Sequence, residues 1–587
     1  MKTSEMKSIR YSIRRIARLE LEITATFPAT TSDGQPVVSV HLPTWRPGRY
    51  ELGNFAQYTY AMQEDLGHSW ETMQKLELHS WFRVSLELAE MEGIDPLSQA
   101  HLQEAFTVRY RFRTHKMDAG SSWADDDVLY INPVNCLVYH PDLADLPCEV
   151  ELVDVPKDWQ LASQLPHDLR KTLRAENMQQ LMDSPFIAAP EITSSSYQSG
   201  DVKFHIHSWG AIHFDYNKFT EEHKAFSDCQ IAAFKGFPVD AYHFIYLFPP
   251  FPARHGVEHE ASTVIAMGPA ERMKEPAFYE ETLAIGSHEL VHTWNVKSLR
   301  PLEWAPYDFT MESPSRLGYV AEGVTTYLGD LFLFEAGIID LDGWMKRFGA
   351  YVQKHIWNPG RLQTSLADSS FDTWLDGYAK PGAGLPPVPH RVANIYVEGA
   401  ILAFLCDVNL NKSSGSSLVD IMRELWQFAQ AIEAEGRHAG LTEEAYWGCI
   451  EARVGDDLLD IQADLCDDLP MDSWEYLVEA FELQNIKASL TRNDNPVHAA
   501  GALTRSREGG PAEVVSVWPD SPAWNAGLVT GALISDASHD QDSGITRLQF
   551  SHAGRAFEEK LHYVDGSGLP ASFAEGYFPR TKLEKLG

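Results

Sequence analysis

The sequence predicts a multidomain α+β protein, and three observations carry that expectation. The hydrophobic pattern alternates with period two through the first part of the chain and again near its end, but from about residue 277 to about residue 485 it has helical spacing. A polar stretch rich in turn formers, LTRNDNPVHAAG at 490–501, separates the helical part from the C-terminal part of the chain. The length of 587 residues is enough for about three to five domains.

The expected domains run 1–180, 181–485 and 495–587. In the first, YSIRRIARLELEIT, VVSVHL, WFRVSLEL and FTVRYRFRT alternate like half-buried strands and are separated by turn clusters such as TTSDGQP, which predicts a sandwich or a large open sheet. The second opens with three more strand-like runs, VKFHIHSWG, YHFIYLF and ASTVIAMG. It then becomes helical through FYEETLAIGSHELVHTWNV, LGYVAEGVTTYLGDLFLFEAG, YVEGAILAFLCDVNL and LVDIMRELWQFAQAI. The third returns to short strands with Gly and Pro turns.

Composition excludes several classes. With 48 Lys and Arg against 83 Asp and Glu, the formal net charge is −35, which argues against a nucleic-acid partner and against adsorption to an anionic membrane. Hydrophobic residues make up 44% and aromatics 11%, a composition that folds, so the acidity describes the surface. The six cysteines are scattered without a CxxC pair and read as ordinary thiols in a reducing compartment. No apolar run approaches the roughly 18 residues of a membrane span. The basic start of the chain is followed by LELEIT rather than an apolar signal core, so the expected location is cytoplasmic. GxSxG, GxxxxGK[ST] and GxGxxG patterns are absent.

The sharpest chemical signal is GSHELVHTWN at 286–295. On a helix, His288 and His292 stand at i and i+4, one turn apart on one face, where both imidazoles reach one ion. Glu289 is adjacent, placed to take the proton of a zinc-activated water and pass it to a leaving amine. A catalytic zinc takes three protein ligands and keeps one position for water. Glu322, in the apolar and small-residue run VAEGVTTYLGDL, is the expected third ligand, because a buried carboxylate needs compensation and a metal supplies it. Asp330, two turns further on, reads either as a brace for a ligand or as a surface residue. His205 and His207 share a strand face with His213 nearby, but no acid or sulfur partner is evident, so they read as ordinary strand residues.

Several segments together carry a resemblance. LPTWRPGRYELGNFAQY at 42–58, HGVEHEAST at 255–263, HELVHTWNVKSLRP at 288–301, AEGVTTYLGDL at 321–331 and NIYVEGAILAFLCD at 394–407 match signature segments spread along most of the chain. On these the chain resembles the glycyl aminopeptidase family of zinc metallopeptidases, HExxH gluzincins. The resemblance implies an N-terminal β domain, a thermolysin-like catalytic domain that is mixed and then mainly helical, and a C-terminal PDZ-like domain.

It implies one zinc per chain on His288, His292 and Glu322, with Glu289 as general base. It also implies that Tyr396 donates a hydrogen bond to the tetrahedral oxyanion and that Glu258 receives the substrate's α-ammonium group. The expected activity is removal of small N-terminal residues, glycine or alanine, from peptides with a free amino terminus. The alternatives are an endopeptidase using the same zinc, or a binding protein with a structural zinc; a base at Glu289 and a donor at Tyr396 argue against the latter. Ile395, Glu398 and His255 stand where the family usually has tyrosine, lysine and glycine, and they bear on which residue is accepted. Finally, PAEVVSVWPDSPAWNAGLVTGALI at 511–534 is similar to a PDZ core, although Ala532 replaces the usual aspartate. Such a fold binds peptides by strand addition, or serves as a structural or substrate-guiding module.

Overall fold

The computed structural model describes residues 8–28, 31–32, 35–36, 38–82, 105–376, 391–436, 439–455, 459–468, 473–491, 493–507, 509–540, 545–562 and 578–586. The chain forms two compact units, residues 1–231, 236–298 and 306–313 in one, and 232–235, 299–305 and 314–587 in the other.

The first unit opens with a hairpin. The run expected as one strand from residue 11 divides into Ile9–Ala17 and Glu20–Phe27, with Leu19 at φ 64° in the turn. Leu21, Ile23, Ala25 and Phe27 are buried while the glutamates and threonines between them are less so, as a two-residue period demands. Phe106–Arg113 pairs antiparallel with Glu20–Phe27, and Cys148–Val153 pairs parallel with Ile9–Ala17. They belong to a seven-stranded sheet. VVSVHL contributes strand Ser39–His41; WFRVSLEL contributes Ser80–Phe82, and its remainder lies outside the described residues. A four-stranded sheet contains Trp123–Ala124, Leu129–Ile131, Gln160–Ser163 and Phe186–Ala189.

A five-stranded mixed sheet comes next, made of β1 (Thr193–Ser199), β2 (Val202–Gly210), β3 (Ala241–Phe248), β4 (Ala253–Glu258) and β5 (Ser262–Gly268) in the order β1-β2-β3-β5-β4. β2, β3 and β5 are parallel, while β4 is an antiparallel edge on β5. Two helices belong to this sheet, α1 (Tyr216–Phe234) and α2 (Pro276–Val291). Sequence periodicity did not predict α1. Its buried face mixes Phe219 and Phe226 with His223, Ser227 and Gln230, so the apolar stripe that marks a helix is diluted.

The second unit is mostly helical. A π-helical turn, Tyr319–Val324, leads into α3 (Thr325–Glu335), followed by α4 (Leu341–Trp357), α5 (Val397–Ser414), α6 (Leu418–Ala434), α7 (Glu443–Val454) and α8 (Trp474–Leu483). α6 starts with a capping box in which Ser417 and Asp420 satisfy each other's backbone amides. The polar stretch after α8 is more ordered than expected, since Ile486–Thr491 is a strand that pairs antiparallel with Arg580–Lys585. Between them lies an antiparallel meander, Ala502–Arg507, Gly510–Val517, Leu533–Asp540, Ile545–His552 and Arg555–His562, around Val514, Ala523, Leu528, Ile534 and Phe550. In the segment 511–534, Ser521 caps a short helix at Pro522–Asn525, and Gly527 and Gly531 have positive φ. Among the described residues this module has no helix longer than four residues to wall a peptide groove.

Candidate active site

α2 carries the HExxH motif and is fixed from two sides. Gln230 of α1 donates to both the carbonyl and the hydroxyl of Ser287 at 3.0 Å. The helix also lies close on the sheet: a Cβ at Gly286 would stand 2.7 Å from the Tyr246 hydroxyl of β3. α2 ends at Val291, yet His292 keeps right-handed dihedrals and its amide donates to the His288 carbonyl at 3.3 Å. The one-turn relationship of the two histidines therefore survives the helix end. Their Nε2 atoms are 3.0 Å apart. His292 Nδ1–H donates to the Asn295 carbonyl at 2.8 Å, which leaves its Nε2 as the lone-pair nitrogen. Two ligand nitrogens on a tetrahedral ion with bonds of about 2.0–2.1 Å are about 3.3 Å apart, so this pair fits such an ion.

The edge strand β4 passes over this helix. A Cβ at Gly256 would meet Glu289 Oε1 at 2.1 Å and Ile285 Cγ2 at 2.8 Å, so glycine is what lets the strand approach Glu289. At the end of β4, Glu258 has a carboxylate oxygen within 4.8 Å of ligand atoms of both Glu289 and His292, and all three residues are buried. The WRPG loop of the N-terminal domain closes on Glu258 from another direction: a Cβ at Gly48, whose φ is 72°, would lie 2.5 Å from Glu258 Oε2. Buried Arg46 sits beside this carboxylate, with Nη2 3.3 Å from His255 Nε2. Burial, then Arg49, lowers the Arg46 pKa, while Asp118 and Glu258 act against that shift. His255 is thus occupied by Arg46 and by Asp118, 3.8 Å from its Nδ1.

A second layer of the site gave little sign of itself in the sequence. Buried Asp183 binds His259 Nδ1 at 3.0 Å, Lys297 Nζ at 2.8 Å and the Glu260 amide at 2.8 Å. Burial alone would raise the Asp183 pKa, but Lys297 and then His259 outweigh it and hold the carboxyl well below its usual range. This knot ties the residues after Glu258 to those after His292. Asp183 lies far away in sequence, in a segment without a motif. Trp294 packs edge-on against Phe237 at 4.9 Å and donates to the Gly236 carbonyl, so it anchors the segment after α2.

Glu322 and Tyr396 lie in the second unit. Glu322 is buried on the π-helical turn, a local widening often found at functional positions. The turn meets α5 glycine to glycine: a Cβ at Gly323 would stand 2.4 Å from Gly399 Cα. That contact brings the EG and YxxG segments, which carry Glu322 and Tyr396, against each other. Tyr396 caps α5 and is partly exposed. Glu398 faces its own unit, accepting from Asn358 Nδ2 at 3.1 Å and from the Asn394 amide at 2.7 Å. These bonds organise the start of α5. Asp330 is buried, not a surface residue, and pairs with Arg347 at 2.8 Å and the Tyr351 hydroxyl at 3.0 Å.

A histidine pair on a helix beneath an antiparallel edge strand, with a carboxylate at the strand's end, defines a metallopeptidase-type site. The sequence profile of the M61 glycyl aminopeptidase matches residues 281–402, and that of the peptidase M61 N-terminal domain matches residues 9–190. The chain belongs to the M61 glycyl aminopeptidase family and is a peptidase. An aminopeptidase N family protein from Idiomarina loihiensis shares the fold, with a TM-score of 0.82 at 20% identity over 99% of this chain and 98% of that one. An M1 zinc metallopeptidase from Deinococcus radiodurans bound to a Tyr-Ser-Ala substrate gives a TM-score of 0.43 at 12% identity, over 78% of this chain and 92% of that one. A comparison with curated protein sequences found no match. Among the described residues no helix is long and apolar enough to cross a membrane, and all six cysteines are free thiols.

Proposed function

We propose that the chain is a zinc aminopeptidase that removes small N-terminal residues, glycine or alanine, from peptides in the cytoplasm. The observation that carries this reading is the position of Glu258, a buried carboxylate next to Glu289 and His292 at the end of the edge strand. A carboxylate there suits a substrate's α-ammonium group, and a chain extended beyond that terminus would leave the charge unpaired. This favours the aminopeptidase over an endopeptidase with the same site.

In this reading His288, His292 and Glu322 hold one zinc ion, residues 181–485 carry the chemistry, and residues 1–180 and 495–587 flank them. The chemistry zinc supplies when bound is Lewis-acid polarisation and a water able to ionise near pH 7. Glu258 and the Gly48 loop set the substrate's amino end. Glu289 takes a proton from the attacking water and returns it to the departing amine. The Tyr396 hydroxyl donates to the oxygen on which negative charge develops, a contribution of a few kcal/mol for a well-placed donor. The C-terminal module is read as PDZ-like and substrate-guiding, with Ala502–Arg507 as an edge where a peptide strand can pair.

The test compares Gly-, Ala- and Leu-anilides with N-acetylated peptides, for wild type and Glu289→Gln, with zinc content measured on both. The expected result is hydrolysis of free-amine substrates only, lost in the variant while zinc is retained. Full activity in Glu289→Gln overturns the mechanism, and equal cleavage of blocked and free peptides removes the role of Glu258.

A further inference from the structure

The turn that follows Glu258 is held by two side chains to which the proposed chemistry gives no task. β4 is the edge of its sheet and ends at Glu258. Residues 259–262 then reverse the chain into β5, with the His259 amide donating to the Ser262 carbonyl at 2.8 Å. Each of these four residues donates to Asp183 or to Gln164. His259 Nδ1–H reaches Asp183 Oδ1 at 3.0 Å, and the Glu260 amide reaches Asp183 Oδ2 at 2.8 Å. The Ala261 amide and the Ser262 hydroxyl reach Gln164 Oε1 at 3.3 Å and 2.6 Å. Gln164 Nε2 in turn donates to the Asp183 carbonyl at 3.2 Å and to the Ser184 hydroxyl at 2.8 Å, so the two braces are joined.

Glu258 needs such a hold. Its carboxylate is buried, yet among the described residues no protein group donates a hydrogen bond to it. Its position is therefore set by the backbone that carries it and by the close approach of Gly48. On an edge strand that backbone has a neighbour on one side only, and bonds from amides to an ionised carboxylate are among the strongest available to fix the turn beyond it. Asp183 also reaches the HExxH segment. Lys297 Nζ is 2.8 Å from Asp183 Oδ2, and the Lys297 amide donates to the His292 carbonyl at 2.9 Å. One carboxylate thereby joins the end of β4 to the residues after α2. Gln164 and Asp183 both lie within residues 9–190, the part that matches the M61 N-terminal domain.

We propose that Asp183 and Gln164 are positioning residues that hold Glu258 in place for the substrate's α-ammonium group, a role that rests on the function proposed for Glu258. Both act through residues 259–262. The N-terminal domain then takes part in recognising the amino end, although the carboxylate that does so lies on β4. With the turn loosened, His288 and His292 keep their own supports from α1 and the Asn295 carbonyl, while the Glu258 carboxylate drifts from the ammonium. Such a contact depends steeply on position, since displacing a positioned group by about 1 Å can cost on the order of 100-fold.

The test compares two ligands that share a metal-chelating hydroxamate: glycine hydroxamate, with a free amino group, and acetohydroxamate, without one. Dissociation constants are measured by calorimetry on the zinc-loaded full chain, and their ratio isolates the amino group. Wild type is expected to favour the amine-bearing ligand, and Glu258→Gln to lose that preference. Gln164→Leu is expected to lower the ratio about tenfold, while acetohydroxamate affinity and zinc content stay within about twofold of wild type. Asp183→Asn is expected to lower the ratio at least as far. Ser262→Ala removes only the 2.6 Å bond to Gln164, tests the same brace should the other variants not fold, and is expected to shift the ratio in the same direction. A ratio that survives these variants but is lost in Glu258→Gln overturns the proposal. An equal weakening of both ligands also overturns it, because a brace that is only structural does not distinguish them. A preference absent from wild type, or unchanged in Glu258→Gln, overturns instead the function proposed for Glu258, and the positioning role with it.

Discussion

Gly256 of the edge strand stands directly over Glu289, so that a methyl group at position 256 would lie 2.1 Å from Glu289 Oε1 and 2.8 Å from its Cδ. Glu289 is held by what the strand lacks. Gly256→Ala is expected to lower kcat roughly 100-fold, the cost of moving a reacting group by about 1 Å. Zinc content is expected to be unchanged, because His288 and His292 are held from α1 and the Asn295 carbonyl. Steady-state kinetics with metal analysis checks both parts, and an unchanged kcat removes the positional role of the glycine.

Gly48 makes a corresponding contact with Glu258 and has a φ of 72°, which costs a residue with a Cβ about 1–2 kcal/mol. Gly48→Ala is expected to push the Glu258 carboxylate aside. KM for substrates with a free amino terminus should rise about tenfold, equivalent to about 1.4 kcal/mol. The comparison is KM for Gly-anilide in wild type and variant, with thermal unfolding monitored to separate binding from stability.

Two glycines of the helical unit are expected to respond in opposite directions. A Cβ at Gly399 would meet Gly323 Cα at 2.8 Å and the Tyr319 carbonyl at 2.9 Å, so Gly399→Ala should destabilise by about 1–3 kcal/mol. Gly448, within α7, has nothing within 4 Å of its Cβ position, so Gly448→Ala should stabilise by about 0.5–1 kcal/mol. Denaturant unfolding of the two variants gives the signs.

The Asp183 knot predicts a pH dependence. Its native pKa is depressed, so its contribution to stability is complete above the unfolded carboxyl value of about 3.9 and is lost as pH falls toward the native value. Asp183→Asn leaves Lys297 and His259 without their carboxylate, and removing one member of a buried ionic group costs about 3–5 kcal/mol. Unfolding free energies measured from pH 7 down to pH 3 should show the variant well below wild type at pH 7, with the gap narrowing on the acid side. A gap that stays constant would assign the loss to packing.

Much of the candidate site is legible in the sequence because its parts are short and local. HExxH is a single helical turn written out in residues, and Glu322 stood out as a carboxylate in an apolar run. Harder to read were residues whose roles depend on distant partners. Asp183 carries no local pattern, and Lys297 looked like part of a motif without a stated task. α1 was missed because its buried face uses His223, Ser227 and Gln230, polar groups satisfied by Tyr246, Tyr197 and Ser287.

The pairing of Ile486–Thr491 with Arg580–Lys585 has a topological consequence. The chain leaves for the meander along one strand and comes back along its hydrogen-bonded neighbour, and the returning strand is clamped to α4, where Gln353 and Trp357 hold the Pro579 carbonyl and Lys585 meets Asp342. Entry and exit are adjacent, so the meander is spliced into the helical unit like a cassette in a socket. Such a layout lets the inserted piece be lengthened, exchanged or replaced by a tight turn across generations, while the helices that carry Glu322 and Tyr396 keep their own closure.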